Sequence, residues 1–426
     1  MNEKLRILLD SKSLKSDDAK RLFKYSDNDF FEFVSIGELN NYTELKISFK
    51  KDYNNSYLSY ENKFGKSGFL FGRNLEDIEK MSKIVDIKYS DFILVFILET
   101  LLGSKNINTI LVTERKKLLN FSHRNKDQFP NVPVHSILSP KAACIFMDLF
   151  CKNKKDFFIA YNYNVDKTYW YLLSLKTKLK NYQSVWSISL SLKDKNLINF
   201  FEGLGNKVTD MLKSVDEIGK IYYFEEVNNN SLDTITYHFN YWSILFTGTL
   251  DLLALVANYK YQLNFLENNK VGLRNCVNED FLNELSDKNS DLVNFVRKKY
   301  ILINLIYDTR NNIAHSFGMD KLIYSSGKIS FNKFRIDEIF FNKIKEISKE
   351  DGSELRSWGI LKVKCNPKNF CFLEPCRFVK CSTELLIDFT DKFISMLDIN
   401  DNEKEISVSD DFKNDLKIFE ENKLGY

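Results

Sequence analysis

The chain has 426 residues, beyond the size at which one hydrophobic core usually stops growing, so two domains are expected. Hydrophobic residues at 44% and charged residues at 28% exclude a disordered or fibrous chain, and only 5 prolines and 15 glycines exclude long low-complexity linkers. The net charge of +3 excludes a protein that coats duplexes through a global basic field, so any nucleic-acid contact must rest on a local patch.

Met1-Asn2-Glu3-Lys4 leads into a mixed charged stretch rather than a signal segment. Apolar runs such as Phe92 to Leu98 are too short to span a bilayer, so a cytoplasmic protein without membrane contact is expected. In the first half, Leu45 to Phe49 and Gly68 to Phe71 read as short strands, and Leu75 to Ile84 and Asp91 to Leu102 as helices. The β-branched run Asn108 to Thr113 predicts a buried strand. Ser139-Pro140 supplies a cap and a first-turn residue for a helix to Cys151. Asp156 to Tyr163, Tyr169 to Leu175 and Ser184 to Leu192 read as strands of an antiparallel sheet, and Leu197 to Leu212 as a helix.

A polar run, Asn228-Asn229-Asn230-Ser231, suggests a boundary near residue 230. Beyond it the patterns are mainly helical: Tyr237 to Glu267, Glu279 to Arg297, Lys298 to Phe317 and Ser382 to Leu397. A hairpin from Leu322 to Phe331 around Ser325-Ser326-Gly327 and a strand at Ile360 to Lys364 interrupt them. The expected fold class is therefore α+β: a mixed α/β domain over 1–230, with a sensing or regulatory role expected, a helical bundle with a small β insertion over 231–400, and a charged, frayed tail over 401–426. Among the 7 cysteines, Cys365, Cys371, Cys376 and Cys381 are spaced more widely than paired zinc knuckles, which favours reduced, mostly buried thiols over a metal site.

The chemistry concentrates on the helix that ends near residue 317. At 100° per residue, Ile301, Leu302, Leu305, Ile306, Ile313 and Phe317 form a broad apolar side. Asn304, Asp308, Asn311 and His315 fall opposite, within roughly 60° of one another. His315, one of only 4 histidines, is thus off the core stripe, near neutrality in its ordinary pKa and beside an arginine and two amides. A solvent-facing histidine at a helix C-terminus is the plainer alternative. On the long helix before it, Asn240, Thr247, Asp251 and Asn258 form a polar stripe, either a solvated face or one that brings Asp251 to Arg310, and Gly248 would allow close helix approach.

The run Arg310-Asn311-Asn312-Ile313-Ala314-His315 resembles the R-polar-x3-H signature of HEPN domains, helical bundles found in RNA-cleaving toxins and defence proteins. The resemblance covers at most residues 237–400. It implies metal-independent RNA cleavage by ribose 2′-OH attack, with His315 as base or acid, Arg310 on phosphate oxygens and Asn311 positioning the ribose or phosphate. Asp251, Asp308 and Asn312 would support them. Arg310 and His315 lie roughly 140° apart on an ideal helix, so one protomer does not obviously aim both at one phosphate. The resemblance implies a homodimer with a composite cleft, no cofactor, and a toxin or abortive-infection role with an antitoxin or phage-derived trigger. Arg297, Lys298 and Lys299 would collect RNA phosphate or form a solvated helix start.

Two further readings stay open. The bundle would be non-catalytic, gripping RNA or dimerising. Alternatively, Asp91, Leu111-Val112-Thr113-Glu114 and the helix after Ser139-Pro140 resemble the second half of a PIN-type nuclease, which implies Asp10, Asp91 and Glu114 as ligands of Mg²⁺ or Mn²⁺. The strand that should carry Asp10 is poor, and Gly203-Leu204-Gly205 lacks the last glycine of a dinucleotide fingerprint.

Overall fold

The structure is a computed structural model; it describes residues 4–10, 12–25, 28, 30–36, 56–62, 65–71, 91, 94–95, 98, 108–119, 136–160, 163–225, 227–263, 265, 270–274, 277–315, 320–326, 329–355, 357–365, 368–399 and 410–422. Two compact units result: Met1–Val165 with Ser325–Ser330 and Glu421–Tyr426, and Asp166–Tyr324 with Phe331–Glu420.

In the first unit, β1 (Leu5–Asp10) is buried along its whole length. It pairs in parallel with β2 (Phe31–Ile36), Leu5 opposite Phe31, and with β5 (Asn108–Val112), Leu5 opposite Asn108. The sheet order is β2-β1-β5-β6, with β6 at Ile137–Leu138. Strands covered on both faces need nearly continuous apolar sequence, which Leu5-Arg6-Ile7-Leu8-Leu9 supplies once Arg6 is paired with Glu32 at 2.9 Å. β1 is therefore a sound strand, contrary to the sequence reading; its one mid-strand charge hid the apolar run. Helix α1 (Asp17–Phe23) starts where Ser16 accepts from the Ala19 amide, and α2 (Pro140–Asn153) where Ser139 accepts from Ala142, as its Ser-Pro start predicts. A separate hairpin pairs β3 (Ser56–Asn62) with β4 (Gly65–Phe71). The predicted strand Leu45 to Phe49 and helix Leu75 to Ile84 lie outside the described residues; Asp91, Leu94, Val95 and Leu98 are helical. Asp156 to Tyr163 is not one strand but the short pair β7 (Phe158–Ala160) and β8 (Tyr163–Asn164).

The second unit opens on two helices where strands are expected: α3 (Lys167–Lys178) replaces Tyr169 to Leu175 and α4 (Lys180–Ser191) replaces Ser184 to Leu192. Aromatic and branched residues favour strands, but the buried positions Trp170, Tyr171, Ser174 and Leu175 recur with helical spacing, and the Asp166 carboxylate accepts from the amides of Thr168 and Tyr169. Two long helices follow, α5 (Lys195–Phe224) and α6 (Asn229–Lys260). The polar run at Asn228 is the cap of α6: Asn228 and Ser231 bond each other's backbone amides reciprocally. Helix α6 has a window of mean hydropathy 1.3, long and apolar enough by composition to cross a membrane, and 61% of that window is buried in the protein.

Glu279 to Arg297 is broken at Asn289, which caps the second of two helices, α7 (Glu279–Lys288) and α8 (Ser290–Lys298). Helix α9 (Tyr300–His315) buries Ile301, Leu302, Ile303, Leu305 and Ile306. Each such aliphatic side chain contributes roughly 1.5–3 kcal/mol. The β insertion is larger than expected: β9 (Asp320–Ser326), β10 (Ile329–Ile336), β11 (Ile360–Cys365) and the unanticipated β12 (Lys368–Leu373) form a sheet in the order β11-β12-β10-β9. Helix α10 (Glu338–Glu350) and α11 (Pro375–Ser395) complete the unit. Its aromatic core sets α6 in place: Trp242 stacks on Phe246 at 4.4 Å and donates its indole N–H to Thr383 of α11, while Phe239 meets Phe334 edge-on at 4.9 Å. The tail expected to fray instead carries α12 (Asp410–Asn422), whose fully buried Phe419 packs edge-on against Trp170 at 5.4 Å.

Candidate functional site

The second unit contains a cleft of about 640 Å³ onto which Arg310 and Asn311 of α9 open. Helix α6 contributes Thr247, Gly248 and Asp251, α5 contributes Lys207, and the segment before α7 contributes Arg274 and Asn278. Tyr307 sits one turn before Arg310 and shares the cleft.

Helical phasing separates Arg310 from the polar face of α9. The structure corrects this at the level of the side-chain ends: an Arg310 Nη donates to the Asn311 amide oxygen at 3.1 Å, and both line one cleft. Two further members of that polar face, Asn304 and Asp308, are structural. Asn304 accepts from Arg274 at 3.3 Å, and Asp308 bridges Arg274, at 3.3 Å, and Lys343. Asp308 therefore anchors Arg274, whose guanidinium also lies 5.8 Å over the Tyr307 ring. Asn312 and His315 belong to α9 by backbone, and their side chains lie outside the described residues.

Asp251 does reach the motif within one protomer, sharing the cleft with Arg310 and accepting from the Tyr307 hydroxyl at 2.6 Å. Asp251 is solvent-exposed overall, but desolvation of its carboxyl by the cleft wall raises it above its ordinary range, against the opposing influence of Tyr307, Arg310 and Lys207. Burial and the neighbouring Asp251 charge push the Tyr307 hydroxyl up as well. The rest of the predicted polar stripe divides: Thr247 lines the cleft, whereas Asn258 is tied to the Phe265 carbonyl at 3.1 Å. Gly248 makes room for a side chain rather than for a helix backbone, since a Cβ there would stand 2.9 Å from the Lys207 ammonium.

The basic cluster expected to gather RNA does not join this cleft. Arg297 is engaged by Glu279 at 2.8 Å and Asn283 at 3.0 Å, and Lys298 is exposed. Lys299 borders a different hollow of about 260 Å³ with Phe295 and Phe389. It lies roughly 16 Å from Arg310 along the helix axis. The local positive patch comes instead from Lys207, Arg274 and Arg310, drawn from three separate segments. Sequence reasoning missed Lys207 and Arg274, which carry no motif; Tyr307 was within reach, because it falls on the same helical face as Arg310 and Asn311.

In the first unit, Asp10 and Asp91 do come together, at the carboxyl end of β1 where the strand order reverses direction. An arginine stands between them: Arg115 binds Asp10 at 2.7 Å and also pairs with Asp91. Thr113 donates to Asp10 at 2.7 Å. Glu114 turns away, accepting from the amides of Lys15 and Ser16 at 3.0 Å. Burial acts to raise the Glu114 carboxyl, but the Ser16 and Lys15 hydrogen bonds hold it below its ordinary range. This donor set does not fit a divalent cation, because the guanidinium satisfies the two aspartates and the third carboxylate is spent on a backbone turn. Among the described residues no group of three metal-binding side chains converges. Cys371 and Cys376 are buried free thiols and Cys381 is half-buried.

No family model, no curated protein and no solved structure matches this chain.

Proposed function

We propose that the helical unit is a metal-independent endoribonuclease of HEPN type, acting in the cytoplasm as a homodimer in a toxin or antiviral role. The observation that carries this reading is the meeting of Arg310 and Asn311 with Asp251 and Lys207 around one cleft of about 640 Å³. In the proposed reaction the ribose 2′-oxygen attacks the adjacent phosphorus, and the bond to the 5′-oxygen breaks. The products are a 2′,3′-cyclic phosphate and a 5′-hydroxyl end. His315 takes the 2′-OH proton, and a second histidine, from the partner protomer, supplies the proton to the leaving oxygen. Arg310 holds the phosphate oxygens as negative charge develops. Asn311, bonded to Arg310, fixes the guanidinium and offers an amide to the ribose.

Purified protein incubated with single-stranded RNA in excess chelator tests the proposal. Cleavage that His315→Ala and Arg310→Ala each abolish is the expected result. Binding without cleavage would establish the non-catalytic reading instead. Cleavage that requires Mg²⁺ and survives both substitutions would move the activity to the first unit, against the arrangement around Arg115.

A further inference from the structure

We infer that Lys207 and Arg310 form a seat for the phosphate of a nucleotide unit, with the base laid against the apolar wall of the same cleft. Lys207 comes from α5, outside the motif, and rests over Gly248, where even a methyl group would stand 2.9 Å from its ammonium. Among the described residues neither Lys207 nor Arg310 forms a salt bridge; the third cation, Arg274, is held by Asp308. Two cations beside a single carboxylate, Asp251, leave a net positive pocket. The wall facing them is apolar and open: Ile244 is 58% and Val277 64% exposed, and both line the cleft. Exposed aliphatic surface beside paired cations suits a ligand with one flat apolar face and one anionic group. A nucleotide has both, and about 640 Å³ holds one.

The nucleotide has two sources, a unit of single-stranded RNA next to the cleaved linkage or a free mononucleotide. For the first the inference rests on the ribonuclease reading; for the cleft itself it does not. Binding separates them. A labelled hexanucleotide carrying 2′-O-methyl groups throughout cannot be cleaved, so its anisotropy reports affinity alone, and calorimetry with uridine and adenosine monophosphates reports the free ligand.

The expected result is saturable binding of the hexanucleotide that Lys207→Gln weakens about tenfold and Lys207→Arg restores. The slope of log affinity against log salt should fall by about 0.7 in Lys207→Gln, the loss of one single-strand phosphate contact. Mononucleotide binding with the same Lys207 dependence supports the site with a free nucleotide as source. Unchanged affinity and salt slope in Lys207→Gln would overturn the inference, as would no binding of either probe. A wild-type protein that binds in this way but never cleaves unmodified RNA refutes the ribonuclease reading and leaves the phosphate seat standing.

Discussion

Gly248→Ala separates the stability of α6 from the placement of Lys207. Glycine inside a helix is about 0.8–1.0 kcal/mol worse than alanine, so the substitution starts with that gain. Against it stands crowding by the tip of Lys207: the new Cβ would lie 2.9 Å from Nζ, 3.4 Å from Cε and 3.6 Å from Cδ. Only the far end of a flexible side chain is involved, and a strained terminal torsion costs about 0.5–1.5 kcal/mol before the chain finds another rotamer. Once Lys207 has moved, most of the helix gain remains. In a domain of this size 1 kcal/mol shifts the midpoint by roughly 2–4 °C, so Tm should stay level or rise by that much. The ammonium meanwhile leaves its seat, and affinity for the uncleavable hexanucleotide should fall about tenfold, as one charge-assisted contact is worth. Thermal melts and anisotropy on the same preparation check both halves. A clear drop in Tm would mean that Lys207 cannot yield. An unchanged affinity at raised Tm would mean that its position does not matter.

Asp251→Asn probes the raised carboxyl. Its folded-state pKa lies above the unfolded value, so the wild type loses stability relative to the variant as pH rises from the unfolded pKa through the folded one, and the difference is constant above. Melting curves at pH 4 and pH 7 should show the variant gaining on the wild type at the higher pH; a constant gap would contradict the assignment. Phe419→Ala removes a fully buried ring from α12 and should cost about 3 kcal/mol, measured by urea unfolding, whereas a cost below about 0.5 kcal/mol would return this segment to a frayed tail. Arg115→Ala leaves Asp10 and Asp91 buried without their guanidinium and should destabilise the first unit by about 3 kcal/mol. Adding Mn²⁺ should leave the wild-type melt unmoved; a rise would show a cation displacing Arg115.

Legibility followed the strength of local signals. Helix α9 was readable because Ile301, Leu302, Leu305 and Ile306 meet a polar face at the right period, and α2 because Ser139-Pro140 spells out its start. Helices α3 and α4 were misread because Trp170, Tyr171 and Val185 favour strands locally, and only the packing of their buried faces overrules that preference. The end of the chain looked solvated from composition, yet Phe419 docked on Trp170, Phe412 against Tyr169 and a Tyr169–Asp415 hydrogen bond hold its helix. At the candidate site, Asn311 and Asp251 were visible through phasing, and Arg310 through its motif. Lys207 and Arg274 were not, since only the folding of α5 and the segment before α7 brings them to the cleft.

The meeting of Arg310 with Asn311 alters what the dimer must accomplish. The roughly 140° between Arg310 and His315 describes where their Cβ atoms leave the helix, not where a long side chain ends. Arg310 has already crossed part of that angle to reach Asn311. The composite-site proposal thus depends on whether Arg310 and His315 of one chain can serve the same phosphate, and complementation decides it. Arg310→Ala and His315→Ala proteins, each inactive, are mixed under dissociating conditions and allowed to reassociate. If the residues act across a two-fold interface, a mixed dimer keeps one Arg310 and one His315 on different chains. Cleavage then returns in part, because such a dimer keeps one of the two histidines and leaves the other proton transfer to water, and it is bounded by the roughly one half of dimers that are mixed at equal input. If both residues act from one chain, every chain in the mixture lacks one of them, and no cleavage returns. Dimers without rescue would leave the interface standing but move the reaction wholly inside each protomer's own cleft.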